Sequence, residues 1–284
     1  MSYSGLVELK VDNPQDFDPA QVFDCGQCFR WEPADVGAWE GVVGCGADWR
    51  RARLEYDETS GIISIRQSGP ACKAGPGQSP EDSEAFWRYY FDLDRDYGKI
   101  KQKLAKDDPV MAEAIEFGSG IRILKQDAWE TIVSFIISQN NNIPRIKKCI
   151  RSVAEQFGDQ GVSLPRPETL AKADGTCLGE CRLGYRSGYL VKAANQVLEQ
   201  GMPKTRDELL GLCGVGPKVA NCIDLFGLGN ADSFPIDVWM KRVMNQLYSI
   251  PENDAAAMQK YACEHFAPYG GIAQQYLFYY ITHK

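Results

Sequence analysis

The segment GVGPKVANC, residues 214–222, places a lysine where a helix should begin. Two glycines mark a turn, Pro217 suits the first position of a helix, and Lys218 follows at once. The helix dipole disfavours a cation in the first turn, and partial burial disfavours it further. Both effects favour the neutral amine, a nucleophile that can form a Schiff base. A solvated lysine, or one that only contacts phosphate, is the alternative that the residue type leaves open.

A carboxylate follows this lysine in the segment PIDVW, directly before another predicted helix. Asp237 could serve only as the N-cap of that helix. However, a short helix and a return loop separate Asp237 from Lys218, so the two side chains could also share one pocket. A neutral amine beside a carboxylate suits displacement at a sugar carbon, because the carboxylate stabilises an oxocarbenium-like transition state while the amine attacks.

The elements that must position Lys218 are two helices joined by a Gly-x-Gly turn, a helix-hairpin-helix over residues 205–228. Thr205 and Glu208 have the spacing of a capping box and predict where the first helix begins. The glycines allow a close approach of the backbone to a ligand, and the free amides of the second helix suit a phosphate. Because a helix that ends in glycine before another helix is common, the hairpin alone does not establish phosphate binding.

Composition sets broader limits on the fold and on the partners. The 284 residues include 44 % hydrophobic and 24 % charged residues, as in soluble globular proteins. No apolar run is long enough for a membrane span, and the N-terminal segment lacks the pattern of a secretion signal. The net charge of −7 argues against a polyanionic partner, but residues 1–120 carry −9 and residues 121–284 carry +2. The second part is therefore the better surface for nucleic acid.

The ten cysteines are scattered along the chain, and reduced, buried thiols are the expected state. Cys25 and Cys28 form a C-x-x-C, which by itself indicates zinc or redox chemistry. No second such pair exists, and the chain has only two histidines, so a closed zinc site is not expected. A redox protein would also require a supporting βαβ pattern that we do not find.

The pattern along the chain predicts an α+β protein. Five short stretches with alternating or β-branched residues predict an antiparallel sheet, and residues 71–80 have the composition of a loop. Helical periodicity then continues to the end of the chain. We predict a β-rich domain over 1–118, in which a helix at about 80–93 packs toward the helical body, and a helical domain over 119–284.

Six motifs together resemble the 8-oxoguanine DNA glycosylase family of the helix-hairpin-helix glycosylase superfamily. In chain order they are FDCGQCFRW (23–31), SFIISQNNNIPRI (134–146), LGYRSGY (183–189), GVGPKVANC, PIDVW and GIAQQYLF (271–278). The resemblance implies a repair enzyme that flips 8-oxoguanine out of duplex DNA, excises it and cleaves the strand by β-elimination. It also implies a monomer without a cofactor, in the cytoplasm on the nucleoid, or in the nucleus of a eukaryote.

The resemblance also implies roles for residues around the damaged base. Lys218 would attack C1′ with Asp237 as its partner, and the carbonyl of Gly26 would accept the N7 hydrogen that only the oxidised base carries. The damaged base would lie in a pocket formed by Gly26, Cys222, Gln274 and Phe278. Without the resemblance, Gly26 would be a turn glycine, and Cys222 and Phe278 would be core residues.

The remaining residues implied by the resemblance contact the DNA around the lesion. Asn140 would fill the gap that the flipped base leaves, Tyr185 would wedge between bases, and Arg145 and Arg186 would hold the opposite cytosine. The three asparagines of QNNNIPR could also be only a helix end and a cap.

The phosphate contacts would come from Gly214, Gly216, Val219 and Trp239, the last of which stands where many members carry a histidine. A cation at the hairpin would bind the carbonyls of Leu210, Leu212 and Val215.

Two other functions fit part of these observations. A glycosylase of the same superfamily for a different damaged base would keep Lys218 and Asp237, but Gly26 and Gln274 suit oxidised guanine. A DNA-binding module without catalysis would use the hairpin alone and would have no need of Asp237.

Overall fold

An antiparallel sheet of five strands precedes a body of helices in the computed structural model, which describes residues 3–72, 80–173 and 175–284. The strands lie in the order β1-β5-β4-β3-β2. Their bounds are β1 (Gly5–Lys10), β2 (Trp31–Pro33), β3 (Ala38–Val43), β4 (Arg50–Asp57) and β5 (Ile62–Ser68). The predicted α+β class is confirmed, and each of the five predicted stretches contains a strand.

The described helices follow one another with short connections. They are α1 (Pro19–Asp24), α2 (Pro80–Tyr90), α3 (Tyr97–Ala105), α4 (Pro109–Phe117), α5 (Ala128–Ser138), α6 (Ile143–Phe157), α7 (Pro167–Ala171), α8 (Gly175–Glu180), α9 (Arg186–Gln200), α10 (Arg206–Leu210), α11 (Pro217–Phe226), α12 (Val238–Tyr248), α13 (Ala255–His265) and α14 (Gly270–His283). Within the described ranges, no helix has the length and apolarity needed to cross a membrane.

The helix predicted near residues 80–93 packs on the sheet, and its end also contacts the start of the helical body, where the Tyr90 carbonyl accepts the Lys125 amide at 2.9 Å. Trp87, Tyr90 and Phe91 of this region share one core with Trp31 and with the inward residues of the strands. The Trp31 indole also donates a hydrogen bond to the Tyr90 hydroxyl at 2.9 Å. The sheet needs an apolar cover on one face, and the aromatic side of α2 provides it. Most of the loop predicted over 71–80 lies outside the described residues.

The helices α3 and α4 precede residue 118 in the chain but pack in the core of the helical body. Ile100, Leu104 and Met111 are buried with residues of α5, α11 and α14. The packing therefore does not follow a linear boundary at residue 118. The helix α5 is buried at the centre of this core. The helices that pack around α5 bring the N-terminal segment next to the last helix, α14.

Candidate active site

A cavity of about 770 Å³ collects most of the predicted catalytic and base-binding residues. The chain approaches this cavity from six places: the turn after α1, the end of α5, the start of α6, α11, the start of α12 and the middle of α14. The predicted residues that line it are Gly26, Asn140, Gly216, Lys218, Val219, Cys222, Asp237, Trp239, Gln274 and Phe278.

Lys218 lies in the first turn of α11, half-buried, at the wall of the cavity. Its amine lies 5.4 Å from the centre of the Phe135 ring and hydrogen-bonds the Cys222 thiol one turn along the helix. Burial raises the pKa of Cys222, the nearby Lys218 lowers it, and the Asp237 carboxylate raises it. The thiol therefore lies within electrostatic reach of both predicted catalytic groups.

Asp237 is the N-cap of α12, and its Oδ1 accepts the Met240 amide at 2.8 Å. The structural role that the sequence allowed is thus real, and the same side chain also lines the cavity. No ion pair joins Asp237 to Lys218 among the described residues, so the carboxylate and the amine flank an open space. Asn221 positions this loop, because its Nδ2 donates to the Phe234 carbonyl at 3.0 Å.

Gly26 lies close to the Phe278 ring in the wall of the cavity. Its φ of +77° is in the left-handed region, which favours glycine. A Cβ on Gly26 would lie 3.2 Å from Cε1 of the Phe278 ring. The left-handed turn therefore favours glycine here, and a side chain at this position would press on the Phe278 ring.

Gln274 reaches the cavity because α14 packs very close to α11. A Cβ on Gly271 would lie 2.5 Å from both a Leu225 methyl group and the Ser233 carbonyl oxygen, so only glycine allows this approach. The Gly271 amide also donates to the Ala231 carbonyl at 2.8 Å. Gln274 is buried, and its side chain faces the pocket that contains Lys218.

The three consecutive asparagines have three different environments. Asn142 is the N-cap of α6 and accepts the Arg145 amide at 3.0 Å, and Asn141 Nδ2 donates to the Ile137 carbonyl at 3.2 Å. Asn140 is exposed, has a φ of +47° and lines the cavity. The helix-capping explanation therefore applies to Asn142, whereas Asn140 is presented to a ligand.

The residues predicted to hold the opposite base, and Tyr185, which was predicted to wedge between bases, lie outside the cavity wall. Arg145 and Tyr185 are exposed, whereas Arg186 is buried and its guanidinium is already engaged. Arg186 donates to the carbonyls of Gln139 and Asn140, the latter at 2.9 Å, and to Leu183 at 3.1 Å. Arg186 thus connects the Tyr185 loop to the Asn140 turn, a structural role that the sequence did not indicate.

The hairpin glycines also differ from each other. Gly214, with φ +83°, approaches the Tyr189 side chain so closely that a Cβ would lie 2.7 Å from it. Gly216 is exposed with open space beside it, and as N-cap of α11 it leaves the first amides of that helix without a side-chain acceptor. Among the predicted cation ligands, the Leu212 carbonyl accepts the Val215 amide at 3.1 Å.

Some cavity residues were not identified from the sequence. They include Cys25, Phe29, Phe135 and Gln275. Burial raises the pKa of Cys25 to about 12, so its thiol stays protonated, and Cys28 is buried as well. The described residues include no cluster of three metal-ligating side chains. The C-x-x-C is therefore a buried part of the turn that presents Gly26.

Known proteins are similar to this chain over nearly its whole length. The model of the 8-oxoguanine DNA glycosylase N-terminal domain matches residues 10–132. The model of the HhH-GPD superfamily of base excision DNA repair proteins matches residues 133–268. A Saccharomyces cerevisiae N-glycosylase/DNA lyase is 29 % identical over 274 residues, which cover 85 % of this chain and 71 % of the yeast protein.

Solved structures share the fold over nearly all of the chain. MBOgg1 in complex with a low-affinity DNA ligand is 37 % identical, with a TM-score of 0.85 and coverage of 99 % of this chain and 97 % of that one. The Clostridium acetobutylicum 8-oxoguanine glycosylase/lyase, bound to double-stranded DNA with cytosine opposite 8-oxoG, is 33 % identical. Its TM-score is 0.84, with coverage of 99 % and 98 %. The chain therefore belongs to the 8-oxoguanine DNA glycosylase family of the HhH-GPD superfamily.

Proposed function

We propose that this protein excises 8-oxoguanine from duplex DNA and then cleaves the strand at the resulting site, as an N-glycosylase and DNA lyase. The observation that carries this proposal is one cavity lined by an amine, a carboxylate and the residues that we propose as a slot for the base. Lys218 and Asp237 flank the open space, and Gly26, Phe278 and Gln274 form the slot. A protein that bound DNA only through its hairpin would not need this combination.

The chemistry follows from the presence of the Lys218 amine and the Asp237 carboxylate in one cavity. A deoxyribose placed between them exposes C1′ to the Lys218 amine, and the Asp237 carboxylate stabilises the positive charge that develops on the sugar. The Lys218 nitrogen forms a bond to C1′ while the C1′–N9 bond breaks, and the bonding electrons leave with the base, which takes up a proton. Loss of the amine proton and opening of the ring then give a Schiff base between Lys218 and C1′.

The Schiff base also accounts for strand cleavage. The imine withdraws electrons from C2′, so a base can remove a C2′ proton, and the electron pair expels the 3′ phosphate by β-elimination. Lys218 is released when water hydrolyses the imine. The same amine therefore serves both the glycosylase and the lyase reaction.

The slot explains the choice of base. We propose that the base stacks on the Phe278 ring, that Gln274 hydrogen-bonds its Watson–Crick edge, and that Cys222 packs against its other face. The Gly26 carbonyl would accept the N7 hydrogen of 8-oxoguanine, whereas guanine has a lone pair at N7 and would be repelled. Such selectivity is strong when a buried polar group is left unpaired by the wrong ligand.

The surroundings of the cavity suit a flipped nucleotide in double-stranded DNA. Asn140 would enter the gap in the duplex, Tyr185 would separate the neighbouring bases, and Arg145 would contact the opposite cytosine. Gly216, Val219 and Trp239 would bind phosphates near the open end of α11, where free amides meet the positive end of the helix dipole. We propose that the protein acts as a monomer on genomic DNA, in the nucleoid or the nucleus.

Borohydride trapping tests this function directly. The protein is mixed with an 8-oxoguanine:cytosine duplex and sodium borohydride, in parallel with Lys218→Gln and with Lys204→Gln as a control on an exposed lysine. We expect a covalent adduct with the native protein and with Lys204→Gln, and none with Lys218→Gln. Base release without an adduct would indicate attack by water, and no release from this duplex would contradict the assignment of 8-oxoguanine.

A further inference from the structure

Gln275 is a buried cavity residue beside Gln274 that the proposed mechanism does not use. Only 3 % of Gln275 and 4 % of Gln274 are exposed. Gln275 Nε2 donates a hydrogen bond to Gln274 Oε1 at 2.8 Å. Gln275 Oε1 has no hydrogen-bond partner, one of three such buried side-chain atoms in the described ranges. A buried acceptor without a donor is costly, so this oxygen marks an incomplete arrangement.

The hydrogen bond between the two amides has a direction, and the opposite direction fits the same positions. With Gln275 as the donor, Gln274 Oε1 accepts the hydrogen bond from Gln275. Gln274 Nε2 then has no partner within the described part of the chain. If both amides rotate by about half a turn, Gln274 Nε2 donates to Gln275 Oε1. The orphaned acceptor then has its donor, Gln274 Oε1 becomes free for a ligand, and Gln275 Nε2 takes the buried position that Gln275 Oε1 leaves.

The direction matters because purine bases differ in their Watson–Crick edges. 8-Oxoguanine presents two donors there, the N1–H and the N2 amine, next to its O6 acceptor. 8-Oxoadenine has a bare nitrogen at N1, which accepts. A Gln274 that presents Oε1 matches the N1–H of the guanine lesion, whereas one that presents Nε2 matches the N1 of the adenine lesion.

We propose that Gln275 is a positioning residue that determines which end of the Gln274 amide faces the damaged base, and thereby the choice of oxidised guanine over oxidised adenine. When 8-oxoguanine enters the cavity, Gln274 Nε2 donates to Gln275 Oε1, and Gln274 Oε1 accepts from N1–H. Gln275 contacts no reacting atom and acts only through Gln274. This inference rests on the proposed function of the cavity.

The test compares the rates at which 8-oxoguanine and 8-oxoadenine are excised in single-turnover reactions, each opposite cytosine. Gln275→Met keeps the length of the side chain but removes both hydrogen-bonding groups. We expect the guanine-to-adenine rate ratio to fall by about tenfold, because Gln274 can then present either end. Gln275→Glu keeps an acceptor for Gln274 Nε2, so its ratio should stay within about threefold of the native value.

Two control variants separate positioning from a loss of stability. Gln67→Met removes another buried glutamine, whose Oε1 accepts the Trp87 indole N–H at 2.8 Å in the sheet core. This variant should lower the melting temperature without changing the ratio. In a Gln274→Met background, Gln275→Met should have no further effect on the ratio, since its effect passes through Gln274.

The outcomes are distinct for the inference and for the function. A native-like ratio in folded Gln275→Met, or an equal change with and without Gln274, would overturn the positioning role. If Gln275→Met does not fold, a tenfold loss of the ratio in Gln275→Glu would overturn it equally, and a retained ratio would support it. Failure of the native protein to release 8-oxoguanine would instead contradict the proposed function.

Discussion

Arg186 donates a hydrogen bond from Nη2 to the backbone oxygen of Asn140 at 2.9 Å, across 46 residues of chain. The same guanidinium binds the carbonyls of Gln139 and Leu183. A buried cation thus connects the turn that presents Asn140 to the loop that carries Tyr185. The two side chains that would enter a duplex are therefore supported by one shared arginine.

We expect Arg186→Lys to unfold more easily than the native protein, by about 1–3 kcal/mol, because an ammonium cannot reach three carbonyls at once. Arg145→Lys is the matched control, since Arg145 is exposed and its side chain has no hydrogen bond in the described structure. Chemical denaturation measures the free energy of unfolding of both variants. Equal stability of the two variants would contradict the supporting role of Arg186.

Gly26→Ala should lower 8-oxoguanine excision by roughly tenfold or more, because the Cβ would press on the Phe278 ring and disturb the slot for the base. Gly37→Ala is a close control. Gly37 has a φ of +75°, near the +77° of Gly26, but a Cβ there has nothing within 4 Å. Both variants should lose about 1–2 kcal/mol of stability through backbone strain, and only Gly26→Ala should lose activity. Similar excision rates for the two would contradict a tight slot.

Asp237→Asn should retain the cap of α12, since an amide oxygen still accepts the Met240 amide, while it removes the negative charge. We expect excision to fall by about 100-fold or more with little change in melting temperature. Asp254→Asn changes the same kind of cap at α13, where Oδ1 accepts the Ala257 amide at 2.9 Å. Asp254→Asn should change neither the excision rate nor the melting temperature. Near-native activity of Asp237→Asn would leave Asp237 with only the role of a helix cap.

The buried pair of Arg30 and Glu130 predicts a dependence of stability on pH. Their side chains are each 8 % exposed, and 3.4 Å separates Arg30 Nη1 from Glu130 Oε1. Burial raises the pKa of Glu130 above its usual value of 4.5, although the Arg30 charge lowers it. The native state then keeps a proton that the unfolded chain loses. The contribution of Glu130 to the free energy of unfolding should therefore decline as the pH rises from about 4.5 through the pKa that Glu130 has in the folded protein. The decline is up to about 1.4 kcal/mol per pH unit.

Glu130→Gln removes this titration. The free energy of unfolding of the native protein minus that of the variant should therefore fall with rising pH across this interval. Urea denaturation at a series of pH values measures the difference. A difference that rises with pH would show that the Arg30 charge outweighs burial.

The local elements were predictable because their causes are local. The strands follow from alternating apolar residues, and α11 begins at Pro217 as its position after the glycines predicts. Thr205 caps α10 by accepting the Glu208 amide at 3.3 Å, as the capping box indicates. The gathering of Lys218, Asp237 and Gln274 in one cavity was expected through the family motifs, since spacing alone left each residue with an ordinary structural role.

The tertiary structure decided what depends on contacts between distant parts of the chain. Whether α2 covers the sheet or the helical body depends on which apolar faces remain open, which no local pattern records. The role of Arg186 depends on two carbonyls that lie 46 and 47 residues away, and the role of Gln275 depends on burial against the cavity wall. The sequence by itself therefore determined the elements and the chemical groups. Packing determined which backbone atoms and side chains those groups meet, because burial and long-range hydrogen bonds exist only in the folded chain.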